Sequence, residues 1–131
     1  MVKVLKPELF GVDAAQGGAV VLHGGRCSCG YVFFPMQRYG CEKCGLAGSD
    51  LAPRTLSGRG VLVASVTVHM HARPERKAPF TIGTIRLDDG PVVRTLLTGP
   101  LGDLRPGRRM RAALIASMDD SAADLRFQAA D

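Results

Sequence analysis

Short apolar runs, separated by glycine, proline and aspartate, follow one another along this chain, and the pattern predicts β-strands. The longest run, residues 60–70, is apolar at both odd and even positions, which is typical of a strand that is covered on both faces or coils around a barrel. We expect four further strands at residues 80–87, 91–98, 108–117 and 125–129. Five short strands in about 75 residues predict a small closed barrel of the OB type, with an SH3-like barrel as the main alternative.

Two details of the pattern predict how these strands bend and connect. In the run 80–87 the apolar residues stand at even positions up to Ile82 and at odd positions from Ile85. This change of phase predicts a β-bulge or a sharp coil at Gly83. The dipeptide Asp89-Gly90 then predicts a type I′ turn into the next strand.

The four cysteines of the chain lie in one short region, as the pairs Cys27/Cys29 and Cys41/Cys44. Two such knuckles that converge on one point form a tetrahedral site of four sulfurs, which suits a structural zinc ion. The C-x-C spacing of the first knuckle is one residue shorter than the common one. Two disulfides, or reduced thiols without metal, are the alternatives, although C-x-C cysteines rarely bridge each other. His23 is a further candidate ligand, but four cysteines already fill the site.

The residues around the cysteines form only a small apolar segment. We expect ribbon strands at residues 19–23 and 31–34, with a core so small that the metal must supply folding energy. Gly17-Gly18 is typical of a flexible link. The predicted organisation of this mainly β chain is an N-terminal extension at residues 1–18, a zinc ribbon at 19–50 and a five-stranded OB-fold barrel at 51–131.

The chain is basic, with 131 residues and a formal net charge of +5 at pH 7. Four thiolates and one Zn²⁺ would lower that charge to about +3. The remaining charge fits an anionic partner such as a nucleic acid or a phosphate-bearing cofactor, or simply a soluble arginine-rich surface. No apolar run has the length of a signal peptide at the N terminus or of a membrane span, so we expect the cytoplasm, where thiols stay reduced.

The titratable residues outside the cysteine cluster suggest little catalytic chemistry. His69 and His71 share one face of a strand, where they are a candidate catalytic or metal pair, although a barrel rim or a partner interface is the favoured interpretation. No Ser-His-Asp order, phosphate-binding loop or dinucleotide fingerprint is present. A site closed by four cysteines has no open position for water or substrate. We therefore expect the chemistry to reside on another chain.

Several segments together resemble a known family. The stretches 26–30, 33–35 and 39–45 resemble the rubredoxin-type zinc ribbon of the DUF35 family, and the segments 56–60 and 79–90 resemble its continuation. The resemblance covers roughly residues 19–118, and in this family an N-terminal ribbon is followed by an OB-fold. The short first knuckle departs from the family pattern, as does the near absence of the longer helical region that usually precedes the ribbon.

The resemblance implies a role in acyl-CoA metabolism. Family members are small partner subunits of enzymes that act on acyl-CoA thioesters, mainly thiolase-like proteins, which include acetyl-transferring thiolases and retro-aldolases. One branch pairs with the thiolase that cleaves benzoylsuccinyl-CoA. We therefore expect a non-catalytic, zinc-binding subunit of a thiolase-type acyltransferase complex that cleaves or forms C–C bonds in acyl-CoA thioesters.

Basic residues are candidates for contacts with the phosphates of CoA, with acidic partner surface as one alternative and solvated charge as the other. These candidates are Arg54, Arg59, Arg73, Arg76, Lys77 and Arg94.

Two other functions compete with the role of an enzyme subunit. The first is a single-stranded nucleic-acid-binding module, since zinc ribbons and OB-folds both serve that function. Phe80 and Phe127 are the only aromatic residues of the barrel segment, which argues against base stacking. The second is a free-standing CoA-binding or acyl-carrying protein.

Overall fold

The structure, a computed structural model, describes residues 3–4, 9–13, 17–69, 80–116 and 122–130. Within these residues the chain forms ten strands and two single turns of 3-10 helix, at Gly48–Asp50 and Leu101–Asp103. The strands are β1 (Lys3–Val4), β2 (Phe10–Asp13), β3 (Ala19–Cys27), β4 (Val32–Phe33), β5 (Leu51–Ser57), β6 (Arg59–Val68), β7 (Phe80–Leu87), β8 (Val92–Leu97), β9 (Arg109–Ala116) and β10 (Ala122–Ala129). In this part of the chain no helix has the length and apolar character to cross a membrane.

The last five strands close into a barrel. Their order is β6-β7-β8-β10-β9, and β9 pairs with β6 again. The pairs are antiparallel except for β8 and β10, which run parallel and meet where Phe127 faces Leu97. This closed five-stranded arrangement confirms the predicted OB-fold, and each predicted barrel strand is present within a few residues of its expected bounds.

The remaining strands form a second sheet around β3. This strand pairs with β2, β4 and β5, and its pairing with β5 runs from Val21 opposite Ser57 to Cys27 opposite Leu51. Residues 51–57 therefore hydrogen-bond to the segment that carries the first cysteine knuckle. β1 and β2 lie in the segment for which the sequence suggested no strand, and β1 joins β10 in parallel. The division of the chain into domains stays a prediction.

One apolar core serves both sheets. Phe10, Leu22 and Leu56 of the second sheet pack into the same buried cluster as Leu62 and Phe127 of the barrel. Fully burying a side chain of this size stabilises the fold by about 1.5–3 kcal/mol. The second sheet is therefore fixed on the barrel and presents its cysteine-bearing end from a defined position.

The predicted bulge at Gly83 is wrong. Along β7 the odd positions, Thr81 to Leu87, are all buried, and the pairing with β8 is uninterrupted. The register shift lies in β6 instead, between Leu62 and Ala64. A Cβ at Gly83 would stand 2.6 Å from Leu97 Cδ1 and 2.9 Å from Leu62 Cδ1, so the glycine makes room for core side chains.

The predicted type I′ turn is also wrong. The N–H of Gly90 donates to the carbonyl of Leu87 (2.9 Å), and the N–H of Leu87 donates to the carbonyl of Pro91 (2.8 Å). These bonds define a three-residue loop, 88–90, whose last residue, Gly90, has φ +119°. This is the other common hairpin connection, in which a glycine with positive φ follows the turn.

Candidate metal centre

The first cysteine knuckle is a tight turn at the end of β3. The N–H of Gly30 donates to the carbonyl of Cys27, and the N–H of Cys27 donates to the carbonyl of Tyr31, both at 2.8 Å. Gly30 has φ +102°, a conformation that side chains rarely tolerate. The turn brings Cys29 back beside Cys27, which explains how a C-x-C pair can point two sulfurs at one position.

The second knuckle has the same form with one more residue. The N–H of Gly45 donates to the carbonyl of Cys41 (2.9 Å), and the N–H of Cys41 donates to the carbonyl of Leu46 (2.8 Å). The N–H groups of Lys43 and Cys44 point at Cys41 Sγ, at 3.4 and 3.5 Å. Backbone donors directed at a sulfur favour its thiolate form, the form that binds metal.

The two knuckles bring the four sulfurs together. All four Sγ atoms lie within 4.8 Å of one another. The distance from Cys27 to Cys44 is 3.5 Å and that from Cys29 to Cys41 is 3.7 Å. A tetrahedral zinc site with Zn–S bonds of about 2.3 Å places its sulfurs about 3.8 Å apart. The arrangement therefore fits a metal ion such as zinc. The four cysteines are free thiols, and these sulfur–sulfur distances are longer than the roughly 2.05 Å of a disulfide bond.

The electrostatics of the cluster favour a bound cation. Burial raises the pKa of the Cys41 thiol, but hydrogen bonds from the N–H groups of Cys44 and Lys43 and from the thiols of Cys44 and Cys27 together outweigh it and lower this pKa to about 6. The N–H of Leu46 lowers the pKa of Cys44, but burial and the neighbouring thiols raise it to about 12. One thiolate thus forms readily while its neighbour resists ionisation, as expected of like charges in contact. A divalent cation among the four sulfurs removes that repulsion.

A small apolar cluster supports the cysteines. Cys27 and Cys41 are buried with Phe33 and Leu51, while Cys29 and Cys44 remain exposed. A Cβ on Gly25 would stand 2.5 Å from the ring of Phe33, so this glycine lets the aromatic side chain lie against β3. With so few buried residues, this end of the sheet depends on the sulfur cluster for stability.

The two histidines that the structure describes, His23 and His69, are not part of the cysteine group. His23 directs its Nε2 toward Gly11 of β2, where an added Cβ would stand 3.2 Å away, and it is not part of the cysteine group. His69 is exposed just after β6. His71 lies outside the described residues, so the proposed pairing of these two histidines stays a prediction.

Of the basic residues that the sequence singled out, the three that the structure describes lie in separate places. Arg54, Arg59 and Arg94 are all exposed, and each lines a different surface depression, next to Arg26, Arg111 and Arg126 respectively. Arg73, Arg76 and Lys77 lie outside the described residues.

Sequence reasoning missed a rigid loop beside the second knuckle. Tyr39 is 94% exposed, yet its backbone is fixed because Gln37 Oε1 accepts hydrogen bonds from the N–H groups of Tyr39 (2.6 Å) and Gly40 (3.1 Å). Gln37 Nε2 in turn donates to the carbonyl of Gly40 (2.9 Å). The signal available in the sequence was a Gln-x-Tyr-Gly segment directly before a cysteine. The loop holds an aromatic side chain in solvent at little cost in backbone entropy.

Fold and site together define a class of protein: an OB-fold barrel that carries a candidate tetracysteine metal ribbon. Residues 53–114 match the family model described as ChsH2, C-terminal OB-fold domain. A chain of the solved structure titled "Ltp2-ChsH2(DUF35) aldolase" is similar over 90% of this chain and 90% of that chain, with a TM-score of 0.69 and 20% identity. A search of curated proteins gives no significant match. The barrel segment therefore matches the ChsH2 C-terminal OB-fold family model, and the resemblance to DUF35 proteins is confirmed.

Proposed function

We propose that this chain is the non-catalytic, zinc-binding subunit of a thiolase-type enzyme complex that cleaves or forms C–C bonds in acyl-CoA thioesters. The observation that carries the proposal is the likeness to a chain of an aldolase complex, which extends over both the ribbon and the barrel. The match to the ChsH2 OB-fold family supports it independently of the overall structure. Benzoylsuccinyl-CoA is a specific substrate within this proposal, and the cytoplasm is the proposed compartment.

The metal in this proposal is one structural Zn²⁺ held by Cys27, Cys29, Cys41 and Cys44. The sulfur distances and the like-charge effects at these thiols support the assignment. Four thiolates fill a tetrahedral coordination sphere, so the ion would stabilise the ribbon and leave no position for substrate. A thiolase-type reaction needs a nucleophile with an acid/base partner, and in this proposal the catalytic subunit supplies both.

The loop at residues 37–40, directly before the second knuckle, is the proposed contact with that subunit. Exposed tyrosines held in a fixed backbone are typical of interface residues that contribute much of the binding energy, because little entropy is lost on docking. Tyr39 has this arrangement, and Leu46, on the same knuckle, is 44% exposed. Arg54, Arg59, Arg73 and Arg94 remain proposed contacts for the phosphates of a CoA thioester at the partner interface.

The nucleic-acid-binding alternative has less support. Single-strand binding by an OB-fold uses aromatic rings on the barrel surface as stacking platforms. Phe127 is fully buried in the core and Phe80 is half-buried. Neither ring offers an open platform, so base stacking on the barrel is disfavoured.

Co-purification tests the proposal. The tagged chain is expressed in its native host and the complex is isolated by affinity and gel filtration. We expect a thiolase-sized or aldolase-type protein to elute with it, and C–C bond cleavage of an acyl-CoA to require both chains. A chain that elutes alone and shifts single-stranded DNA at physiological salt would contradict the proposal and favour the alternative.

A further inference from the structure

Two arginines face each other across strands β6 and β9. Arg59 is the direct antiparallel partner of Arg111, so both side chains project from the same face of the barrel, with Cβ atoms about 4.5–5.5 Å apart. Both residues are exposed. Like charges placed directly opposite each other destabilise a sheet. A neighbouring carboxylate or an external anion would relieve this repulsion.

The neighbouring carboxylate is already engaged. Asp88 accepts hydrogen bonds from Arg109 at both of its oxygens, at 2.8 and 2.7 Å. Within the described ranges of the chain, the guanidinium groups of Arg59 and Arg111 have no hydrogen bond or ion pair. The charge of Arg59 does act on Asp88 at longer range, and it lowers the pKa of that carboxyl.

The same barrel face carries further positive charge. Val61, two residues after Arg59, is the partner of Arg109 on one side and of Arg86 on the other. Gln128, which faces Arg111 on β10, adds no charge. Arg86 and Arg109 thus flank the arginine pair on this face, close to Asp88, and the electrostatic potential of this patch favours an anionic ligand.

A depression adjoins the arginine pair. Arg59 and Arg111 line a cavity of about 360 Å³ whose other walls include the apolar side chains of Val12, Val20 and Leu114. Gly58, between β5 and β6, forms part of the lining. A Cβ there would stand 2.4 Å from the carbonyl oxygen of Val20, so only glycine lets this segment approach β3 so closely. The volume lies in the range of small-molecule sites, with cations at one end and apolar surface at the other.

We propose that Arg59 and Arg111 bind the phosphate group of a small phosphate ester whose remaining, less polar part occupies this depression. Planar guanidinium groups bind phosphate oxygens through paired hydrogen bonds, and two of them converge here. This site makes the proposed contact with CoA more specific at Arg59, which pairs here with Arg111, a residue that was not among the sequence candidates. It rests on the proposed function only for the identity of the ligand, since phosphate binding follows from the geometry alone.

Titration of the full-length, zinc-loaded chain tests the site without any partner protein. Inorganic phosphate is added at constant ionic strength with chloride as the balancing anion, and backbone amide shifts are followed by NMR. We expect shifts centred on residues 57–60 and 109–113. Arg59→Gln and Arg111→Gln should each weaken phosphate binding about tenfold, in line with the loss of charge-assisted hydrogen bonds. Arg105→Gln, a change at an exposed loop residue, is the matched control and should leave it unchanged.

Two further arms make the result decisive. Adenosine 3′,5′-bisphosphate should bind more tightly than inorganic phosphate, whereas a single-stranded oligonucleotide at equal phosphate concentration should not. Without phosphate, each Gln variant should melt at or above the temperature of the wild type, since it relieves repulsion. Equal phosphate binding by wild type and both variants, tighter binding of the oligonucleotide, or lower melting of both variants would overturn the proposal. None of these outcomes bears on whether a catalytic subunit co-purifies.

Discussion

Asp89 accepts two hydrogen bonds from Ser57, one from its backbone N–H to Oδ2 (3.3 Å) and one from its hydroxyl to Oδ1 (3.1 Å). Ser57 ends β5 in the second sheet, and Asp89 lies in the loop between β7 and β8 of the barrel. The contact therefore joins the cysteine-bearing sheet to the barrel at a point 32 residues apart in sequence. It supplements the shared apolar core with a directional link, so the ribbon has a defined orientation on the barrel.

Removing this link should weaken the whole chain. Asp89→Ala leaves a half-buried N–H and a hydroxyl without their acceptor, and we expect the free energy of unfolding to fall by about 1–3 kcal/mol. The control is Asp88→Ala in the same loop, which removes an exposed ion pair and should cost at most about 1 kcal/mol. Urea denaturation of both variants measures the difference. A larger loss for Asp88→Ala than for Asp89→Ala would contradict this account.

The ion pair between Asp88 and Arg109 should make a small, pH-dependent contribution. The hydrogen bonds from Arg109 lower the pKa of Asp88 in the folded chain below its value of about 3.9 in the unfolded chain. Its stabilisation is therefore fully present above the unfolded pKa and is lost as the pH falls through the folded one. Wild type should exceed Asp88→Asn by at most about 1 kcal/mol at pH 7, because the pair is exposed. The difference should close below about pH 4; a difference that grows on acidification would refute the assignment.

Metal binding should require each of the four sulfurs. Cys41→Ser or Cys44→Ser should lose the ion and unfold the ribbon, because the apolar cluster around the cysteines is too small to fold alone. Metal analysis of protein purified without chelator should give one zinc per wild-type chain and none for either variant. Ser28→Ala lies within the first knuckle but changes no sulfur, so it serves as the control and should retain zinc. Wild-type protein purified without zinc would contradict the assignment of the four cysteines as a zinc site.

Gly83 should not tolerate a side chain. An alanine there places its methyl group against Leu97 and Leu62, and overpacking of this kind costs about 1–3 kcal/mol. Gly102→Ala is the matched control, since an added Cβ meets nothing within 4 Å and the residue has no positive φ. Thermal melts should show a clear loss for the first variant and little change for the second. Equal melting temperatures of the two variants would contradict this prediction and would mean that Leu97 and Leu62 move to make room for the methyl group.

Tyr39 should matter for assembly and not for folding. Since its side chain is 94% exposed, Tyr39→Ala should melt at the wild-type temperature. If it is a main contact of the catalytic subunit, the complex should weaken by at least about fivefold. Leu101→Ala, at a 62% exposed residue of the barrel, is the control and should bind normally. Unchanged affinity for Tyr39→Ala in a titration of the purified complex would exclude the loop as an interface.

The sequence predicted the barrel because its strands are long, rich in β-branched residues and punctuated by turn residues. The cysteine spacing likewise predicted the sulfur cluster, which depends on two local turns. What it missed depends on contacts between distant segments. β2 is a four-residue strand that exists through its pairing with β3, and Gly83 is explained only when Leu62 and Leu97 are placed beside it. The register that sets Arg59 opposite Arg111 is likewise invisible in a linear sequence.

The most direct test of the central claim is the activity of the separated and recombined chains. The complex is purified from the native host, its larger component is identified by mass spectrometry, and both chains are assayed on acyl-CoA substrates for C–C bond cleavage or formation. We predict that the present chain alone is inactive, that the two together are active, and that Cys44→Ser abolishes activity by loss of the ribbon. Activity of this chain alone, or a stable chain with no acyl-CoA enzyme attached, would contradict the proposed function.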